Sequence, residues 1–417
     1  MAQLQDDATK VVEDRGFRLG PLYLTLPLAN VAVMFLWVGV GAFLLPRHVQ
    51  LITGTNDVAA LGLANSIGPL MATIANPVFG QISDRTRSRF GRRSPWILGC
   101  VAIGVLALLA QANAASVLML GISWAGVQLI MNGYQAAITA ILPDRVPDRR
   151  YGTFSALFGL GTPLATIGAA IMFMTMPQLA DGGAYYVVMA VLAAAALLIV
   201  FASPDRDSTG LPRQPFHLGA FLTAFVRPLR HRDFFWAFAG RFGLMLGYMM
   251  IFTFNLFLLE DFIKIPKGEV VAKMGLLMLV GQVATFLAVI LVGPLSDKVA
   301  RFRLFALISG LASAVTLAIP LVMPTFEGML VYNVLHGIAF GIFMAVDMAL
   351  VTKVLPNKEE VGKDMGVLNI ANAGPQIAAP AIAAFLVTAG GYTTLFLTGI
   401  AVSLIASLAV LKIRGVR

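Results

Sequence analysis

The feature that most constrains this chain is a succession of long apolar segments separated by short polar ones. Each segment is about 20 residues long, the length at which an α-helix crosses the hydrocarbon core of a bilayer. A bilayer offers no water to unpaired backbone groups, so every segment is predicted to be a helix. The twelve segments are 22–46, 58–82, 95–112, 115–141, 152–176, 183–202, 233–259, 270–294, 303–323, 327–351, 365–388 and 392–412. The chain is therefore predicted to be an all-α membrane protein.

Composition and charge agree with this prediction. Of the 417 residues, 58% are hydrophobic and 12% are charged, whereas about 25% of a soluble domain is charged. In a soluble protein the net charge of +9 would suggest a nucleic-acid partner. Here most Lys and Arg residues lie in short loops between apolar segments, so we interpret them as topology signals and expect no nucleic-acid partner.

The basic residues are concentrated in alternate loops. The loops after the second, fourth, sixth, eighth and tenth segments are rich in Lys and Arg, while 111–116 and 389–393 carry no charge. Loops rich in Lys and Arg remain in the cytoplasm, which predicts a multi-pass protein of a bacterial-type inner (plasma) membrane with both termini cytoplasmic. The polar stretch 1–18 lacks the apolar region of a signal peptide, so we expect the first helix to stay in the membrane.

Two short motifs recur at one spacing. The sequence GQISDR from Gly80 to Arg85 returns as GPLSDK from Gly293 to Lys298, and the Leu-Pro pair at 142–143 returns at 355–356. Both offsets are 213 residues (293 − 80 and 355 − 142). This predicts two duplicated six-helix halves, 1–203 and 233–417, joined by a cytoplasmic linker at 204–232. Halves of this kind hold their substrate between them near the middle of the membrane.

An arginine-rich loop follows the second segment. It reads GQISDRTRSRFGRRSPWIL from Gly80 to Leu98. Asp84 stands at a helix end, where cationic partners are favourable, and the arginines can bind carboxylates while they stay in contact with the cytoplasm. We predict a conformational latch, with topology charge alone as the alternative. The predicted latch residues are Gly80, Asp84, Arg85, Arg89, Gly91, Arg92 and Arg93, with Asp297 in the second half.

This loop resembles the signature loop of the major facilitator superfamily. Its wide gap between Asp-Arg and Gly-Arg-Arg, followed by Ser-Pro-Trp-Ile, is similar to the loop of glycoside–pentoside–hexuronide:cation symporters and of sucrose:proton symporters. The resemblance implies two pseudo-symmetric six-helix bundles, with segments one, four, seven and ten around a central cavity. Relatives of melibiose permease carry two aspartates in the second segment that help to bind sodium, but this chain has Ala72 and Asn76 there. A sodium site of that type is therefore not expected, and proton coupling in the C-terminal half is favoured.

Three ionisable residues stand out inside the predicted spans because they lie away from the span ends, at depths where a charge is costly and therefore indicates function. They are Arg241 in the seventh span and His336 and Asp347 in the tenth. His336 and Asp347 are eleven residues apart, which places them on one helical face. Arg241 and Asp347 lie at comparable depths, and the resemblance implies that the seventh and tenth spans line one cavity, so we predict an Arg241–Asp347 pair. We also predict a proton-coupling role for all three residues. The alternatives are a structural ion pair and a packed core imidazole.

Neutral polar residues mark one face of several predicted helices. Gln128, Asn132 and Gln135 follow the spacing i, i+4, i+7. Sugar hydroxyls need neutral donors and acceptors, and an aromatic face suits a sugar ring. The alternative is interhelical hydrogen bonding by the same residues. The predicted substrate-binding set is Asn30, Trp37, Gln128, Asn132, Gln135, Arg241, Tyr248, Asn255, His336, Asn369, Asn372 and Gln376.

The sequence contains no catalytic or cofactor motif. There is no Gly-rich phosphate loop ending in Gly-Lys-Ser/Thr, the four histidines are dispersed, and Cys100 is the single cysteine. We therefore expect no enzyme activity, no cofactor and no metal site. We predict a monomeric secondary active transporter, a proton-coupled symporter of a sugar, glycoside or similar polar small molecule. Two alternatives stay open: a proton-coupled exporter of amphipathic compounds, and a non-transporting sensor or assembly protein on the same fold.

Overall fold

The computed structural model describes residues 19–210, 231–299, 301–354 and 361–413, and this part of the chain is helical without any strand. We number its long helices in chain order. They are α1 (Leu19–Thr53), α2 (Val58–Arg85), α3 (Ser94–Ala112), α4 (Val117–Arg145), α5 (Asp148–Gly159 and Gly161–Thr175), α6 (Gly183–Ala202), α7 (Arg232–Thr253 and Asn255–Asp261), α8 (Val270–Val299), α9 (Phe302–Leu317 and Ile319–Val322), α10 (Phe326–Val354) and α11 (Val361–Val410). A short 3₁₀ turn, Pro177–Asp181, connects α5 to α6.

Within the described residues, eleven helices are long and apolar enough to cross a membrane. The last of them, α11, contains both the eleventh and the twelfth predicted segment. Its backbone is interrupted at Gly391, where φ is 73° and ψ is −174°. Glycine reaches positive φ without the steric cost of a Cβ, so the chain can turn there between two helices. Each predicted segment thus falls on a helix, and the predicted all-α membrane fold is confirmed.

The helices form two compact units. The first comprises Met1–Val40, Leu70–Thr166 and Gly182–Gln214. In it α1 packs against α4, α5 and α6, and α3 packs against α4 and α6. Small residues allow such close approach between helices. At Gly104 of α3, for example, a Cβ would meet the side chain of Met131 of α4.

The second unit comprises Gly41–Pro69, Ile167–Asp181 and Pro215–Arg417. Here α7 packs against α11, and α9 packs against α10 and α11. These pairings repeat those of α1 with α6 and of α3 with α4 and α6, in agreement with the internal sequence repeat. The unit also contains the end of α1, the start of α2 and the end of α5. The borders of the two units therefore differ from the predicted domain limits at 203 and 233. Those limits describe the predicted sequence repeat and remain a prediction.

Candidate functional site

The arginine-rich loop between α2 and α3 is organised around one buried side chain. Arg93 is 3% exposed. Its Nη2 lies 2.5 Å from Asp84 Oδ1, its Nε lies 2.8 Å from Asp144 Oδ2, and its Nη1 donates to Ser83 Oγ. Arg92 Nη2 lies 2.9 Å from the other oxygen of Asp144. The end of α2, the start of α3 and the end of α4 are thereby held together by one ionic network.

The charge of Arg93 is maintained by its partners. Burial on its own lowers the pKa of the guanidinium, but the hydrogen bond and the charge of Asp144, together with the charge of Asp84, leave that pKa above its ordinary value. A cation satisfied by two carboxylates in this way is stable where an unpaired one would not be. The guanidinium of Arg93 therefore stays charged throughout the physiological pH range.

Gly91 is required by this geometry in two ways. Its φ is +86°, and a Cβ at this position would collide with the carboxyl group of Asp205. The same carboxylate accepts a hydrogen bond of 3.0 Å from the backbone N–H of Arg93. Ser208 Oγ also accepts a hydrogen bond of 3.0 Å from the backbone N–H of Ser88. The first residues after α6 are thus fastened to the arginine-rich loop.

A second polar region lies between α1, α4 and α5, and it is neutral. Trp37 Nε1 donates to Gln135 Oε1 over 3.4 Å, and Gln135 Nε2 donates to Asn30 Oδ1 over 3.2 Å. Asn30 Nδ2 in turn donates to the carbonyl of Phe158 over 2.7 Å. This carbonyl lies where α5 is interrupted at Leu160, so Asn30 pairs a backbone acceptor near the helix break.

The neutral region continues along α4 toward α2. Asn132 Nδ2 donates to the carbonyl and to Oε1 of Gln128, over 2.8 and 3.2 Å. Its Oδ1 accepts a hydrogen bond of 3.4 Å from Asn76 Nδ2. Asn132 is buried, while Gln128 and Gln135 are half-buried. The predicted residues Asn30, Trp37, Gln128, Asn132 and Gln135 are therefore brought together, and Asn76 joins them.

A third polar region lies in the second unit and carries charge. Arg241 Nη1 forms an ion pair with Asp347 Oδ2, and the two side chains are only 10% and 6% exposed. The predicted contact between α7 and α10 is therefore present. Both charged groups are largely removed from water, which costs free energy that their mutual attraction must offset.

His336 lies on α10 within an aromatic stack. Its ring centroid is 6.0 Å from that of Tyr248 and 5.1 Å from that of Tyr332. Thr316 Oγ1 donates its one proton to the carbonyl of Ser313 over 2.9 Å, so it accepts from His336 Nδ1 at 3.1 Å. In the neutral ring the other nitrogen is then an acceptor. His336 Nε2 is buried without a hydrogen-bond partner among the described residues.

The comparison with known families decides the identity of this fold. The sequence profile described as Major Facilitator Superfamily matches residues 26–287 and 270–417. The chain belongs to the major facilitator superfamily. Among curated proteins, an uncharacterized symporter of Synechocystis sp. is 52% identical over 48 residues. That match spans 10% of this chain and only 9% of the symporter's length.

Solved structures share the superfamily fold over nearly the whole chain. The nucleoside transporter NupG superposes with a TM-score of 0.75 at 16% identity, covering 94% of this chain and 98% of NupG. A POT family transporter in complex with a thioalcohol-conjugated peptide gives 0.74 at 14% identity, covering 93% and 95%. At this identity the likeness concerns the fold alone.

The other predicted residues of this superfamily member have varied environments. Asn255 is buried at the start of the second part of α7, Gln376 is exposed, and Tyr248 is half-buried. In the predicted latch, Gly80 is half-buried on α2, while Arg85 and Arg89 are exposed. The side chains of Asn369, Asn372 and Asp297 lie outside the described part. Among the residues that the structure describes, no group of three or more His, Cys, Asp or Glu side chains could hold a metal ion.

Sequence reasoning missed several members of these networks. It did not single out Asp144, although the Leu-Pro pair at 142–143, which recurs at 355–356, stands directly before it. Asp205, Ser208 and Thr316 were not predicted, because each binds a residue that is distant in sequence. No periodicity or spacing along the chain indicates such contacts.

Proposed function

We propose that this protein is a secondary active transporter that works by alternating access and couples uptake of a polar small molecule to protons. The substrate class is a sugar, a glycoside or a similar compound. The proposed location is a bacterial-type inner membrane, with both termini in the cytoplasm and the monomer as functional unit. Membership of the major facilitator superfamily and the short identity with a symporter support secondary transport.

The buried pair of Arg241 and Asp347 is the observation that carries proton coupling. A carboxylate at membrane depth is stable as an anion only while a cation compensates it. A proton on Asp347 would remove that charge and release Arg241, which gives the helices α7 and α10 two alternative arrangements. The neutral cluster around Asn132 cannot act in this way, since amides do not titrate.

His336 supplies a second reactive atom on the same helix. Its buried Nε2 can accept either a proton or a hydrogen bond from a substrate hydroxyl. The neighbouring aromatic stack continues from Tyr248 to Phe340 at 4.7 Å and to Phe252 at 5.5 Å between ring centroids. An acceptor beside an aromatic surface suits a ring that carries hydroxyl groups.

The neutral amides of the first unit support a polar, uncharged substrate. Gln128 and Gln135 are half-buried and already oriented by Asn132, Asn30 and Trp37. Side chains held in this way can bind hydroxyl groups with little further loss of rotamer freedom.

A second candidate function is proton-coupled export of amphipathic compounds. The half-buried Met245, Phe252 and Phe340 provide the apolar surface that favours it. A third alternative, a non-transporting sensor or assembly protein, rests on the fold alone.

Purified protein in sodium-free proteoliposomes tests these functions. A panel of mono- and disaccharides is added outside, with a pH-sensitive dye inside and Asp347→Asn as the control. Sugar-driven acidification of the lumen that disappears in Asp347→Asn supports the proposal. Uptake that requires sodium contradicts proton coupling, and efflux of a hydrophobic dye without sugar uptake supports the exporter. Absence of any transport, with a stable protein complex, supports the sensor.

A further inference from the structure

A network of amides and carboxylates joins helix ends in the second unit, away from the arginine-rich loop. Glu260, near the end of α7, is 8% exposed. Its Oε2 accepts hydrogen bonds from Gln50 Nε2 at 2.9 Å and from Asn56 Nδ2 at 3.1 Å. Gln50 belongs to the end of α1, and Asn56 to the loop before α2. The contact therefore links the first and seventh helices.

Both amides in this network have every polar group engaged. Gln50 Nε2 also donates to Asn56 Oδ1 over 2.7 Å, and Gln50 Oε1 accepts from Arg47 Nη1 over 3.1 Å. Asn56 Nδ2 also donates to Asp261 Oδ1 over 2.7 Å. Neither amide can rotate by half a turn without losing several of these bonds. Their N–H groups are therefore fixed toward the carboxylates.

Within the described residues, the charged side chains near Glu260 have other partners. Arg47 Nε pairs with Asp181 Oδ1 at 2.7 Å, and the hydroxyl of Tyr392 donates to Asp261 Oδ2 over 3.3 Å. No described ion pair includes Glu260, and its Oε1 is buried without a partner. Among the described residues, neutral amides alone bind this carboxylate, so its burial depends on their hydrogen bonds.

Helices close to this network also approach each other tightly. A Cβ at Gly275 of α8 would lie 2.7 Å from the carbonyl oxygen of Ala170 of α5, and one at Gly62 of α2 would lie 2.7 Å from Cβ of Ala384 of α11. These two glycines therefore allow α2 to approach α11, and α5 to approach α8, closely within the second unit.

We propose that Gln50 and Asn56, bound to Glu260, form a second latch that holds these helix ends closed in the state described here. This proposal rests on alternating access, which belongs to the proposed function. It adds the contact that must break for this side of the protein to open. In the proposed orientation this latch faces the outside, while the network of Arg93 faces the cytoplasm. Opening hydrates the buried carboxylate and separates α1 from α7.

Distance measurements between spin labels test the latch without any substrate. Labels are attached to cysteines at Thr55 and Lys267, both exposed, in a Cys100→Ser background of the full chain in lipid nanodiscs. Glu260→Gln removes the charge and leaves one amide oxygen, which accepts hydrogen bonds from Gln50 and Asn56 more weakly than a carboxylate does. We expect the ratio of long to short distances to rise about tenfold, because both bonds lose their charge-assisted part.

Glu269→Gln is the matched control, because this exposed carboxylate pairs only with Lys273 one turn away among the described ion pairs. It should leave the distance distribution unchanged. If Glu260→Gln fails to fold, Gln50→Leu tests the same contact from the other side and should shift the ratio in the same direction. Wild-type distributions in both Glu260→Gln and Gln50→Leu would overturn the latch. The proteoliposome assay judges the proposed function separately, since it measures transport and not helix separation.

Discussion

Two contacts at matching positions of the predicted repeat differ in their chemistry. At the repeat offset of 213, Asp347 corresponds to Tyr134 (347 − 213) and Arg241 to Leu28 (241 − 213). Tyr134 donates to the carbonyl of Ala29 over 3.1 Å, so α4 meets α1 through a neutral hydrogen bond. The equivalent contact of α10 with α7 is an ion pair. The two contacts thus lie at nearly matching positions of the predicted repeat, and in our proposal the ion pair is the one that responds to a proton.

This difference assigns separate tasks to the two units in our proposal. The first unit carries amides that keep their charge state at every pH, which suits recognition of hydroxyl groups. The second unit carries the pair whose attraction depends on protonation. The following experiments test whether substrate recognition and proton coupling are divided between the two units in this way.

The largest effect is expected for Asp347→Asn. It removes the carboxylate that pairs with the buried Arg241, so the thermal stability of the purified protein should fall by the equivalent of about 3–5 kcal/mol. Asp347→Asn combined with Arg241→Gln should regain most of this stability, because the buried cation is removed together with the anion that compensated it. The double variant should exchange substrate but not accumulate it against a gradient. Full accumulation in either variant would disprove coupling through this pair.

Arg93→Ala comes next, since it removes a buried cation that two carboxylates bind. We expect transport to fall at least tenfold, while substrate affinity stays within about tenfold, or roughly 1.4 kcal/mol. Arg89→Ala is the control, because its side chain is exposed. Uptake and binding measured on the same preparations check the prediction. Equal transport by the two variants would reduce the arginine-rich loop to a topology signal.

His336→Gln separates a proton-linked imidazole from a packed one. Gln can replace the bond to Thr316, but it cannot titrate near neutral pH. We expect the pH profile of uptake to flatten or move, with stability within about 1 kcal/mol of the wild type. An unchanged profile with a weaker substrate affinity would assign His336 to substrate binding alone.

The smallest effect is expected for Tyr134→Phe, which alters the repeat counterpart of Asp347. It removes the neutral hydrogen bond from the Tyr134 hydroxyl to the Ala29 carbonyl, which should lower the stability by about 1 kcal/mol. The pH dependence of uptake should not change. A pH shift as large as that of Asp347→Asn would show that the two contacts do not differ in function.

The sequence by itself determined the membrane spans, the duplication and the residues that bear charge within the helices. These properties follow from hydropathy and from helical spacing, which are local along the chain. The pairing of Arg241 with Asp347 was predicted from their comparable depth in the membrane together with the resemblance to the major facilitator superfamily, which implies that spans seven and ten share one cavity. In these respects local pattern and final structure agree.

Only the tertiary structure decided which partner each polar group has. The arginine-rich loop binds Asp144 and Asp205, and Glu260 binds Gln50 and Asn56. The partners in these contacts are 51 to 210 positions apart in the sequence. Many amides and carboxylates in this chain could form such bonds equally well. The choice among them depends on how helices distant in sequence pack and which groups they bury together, and no local pattern contains that information.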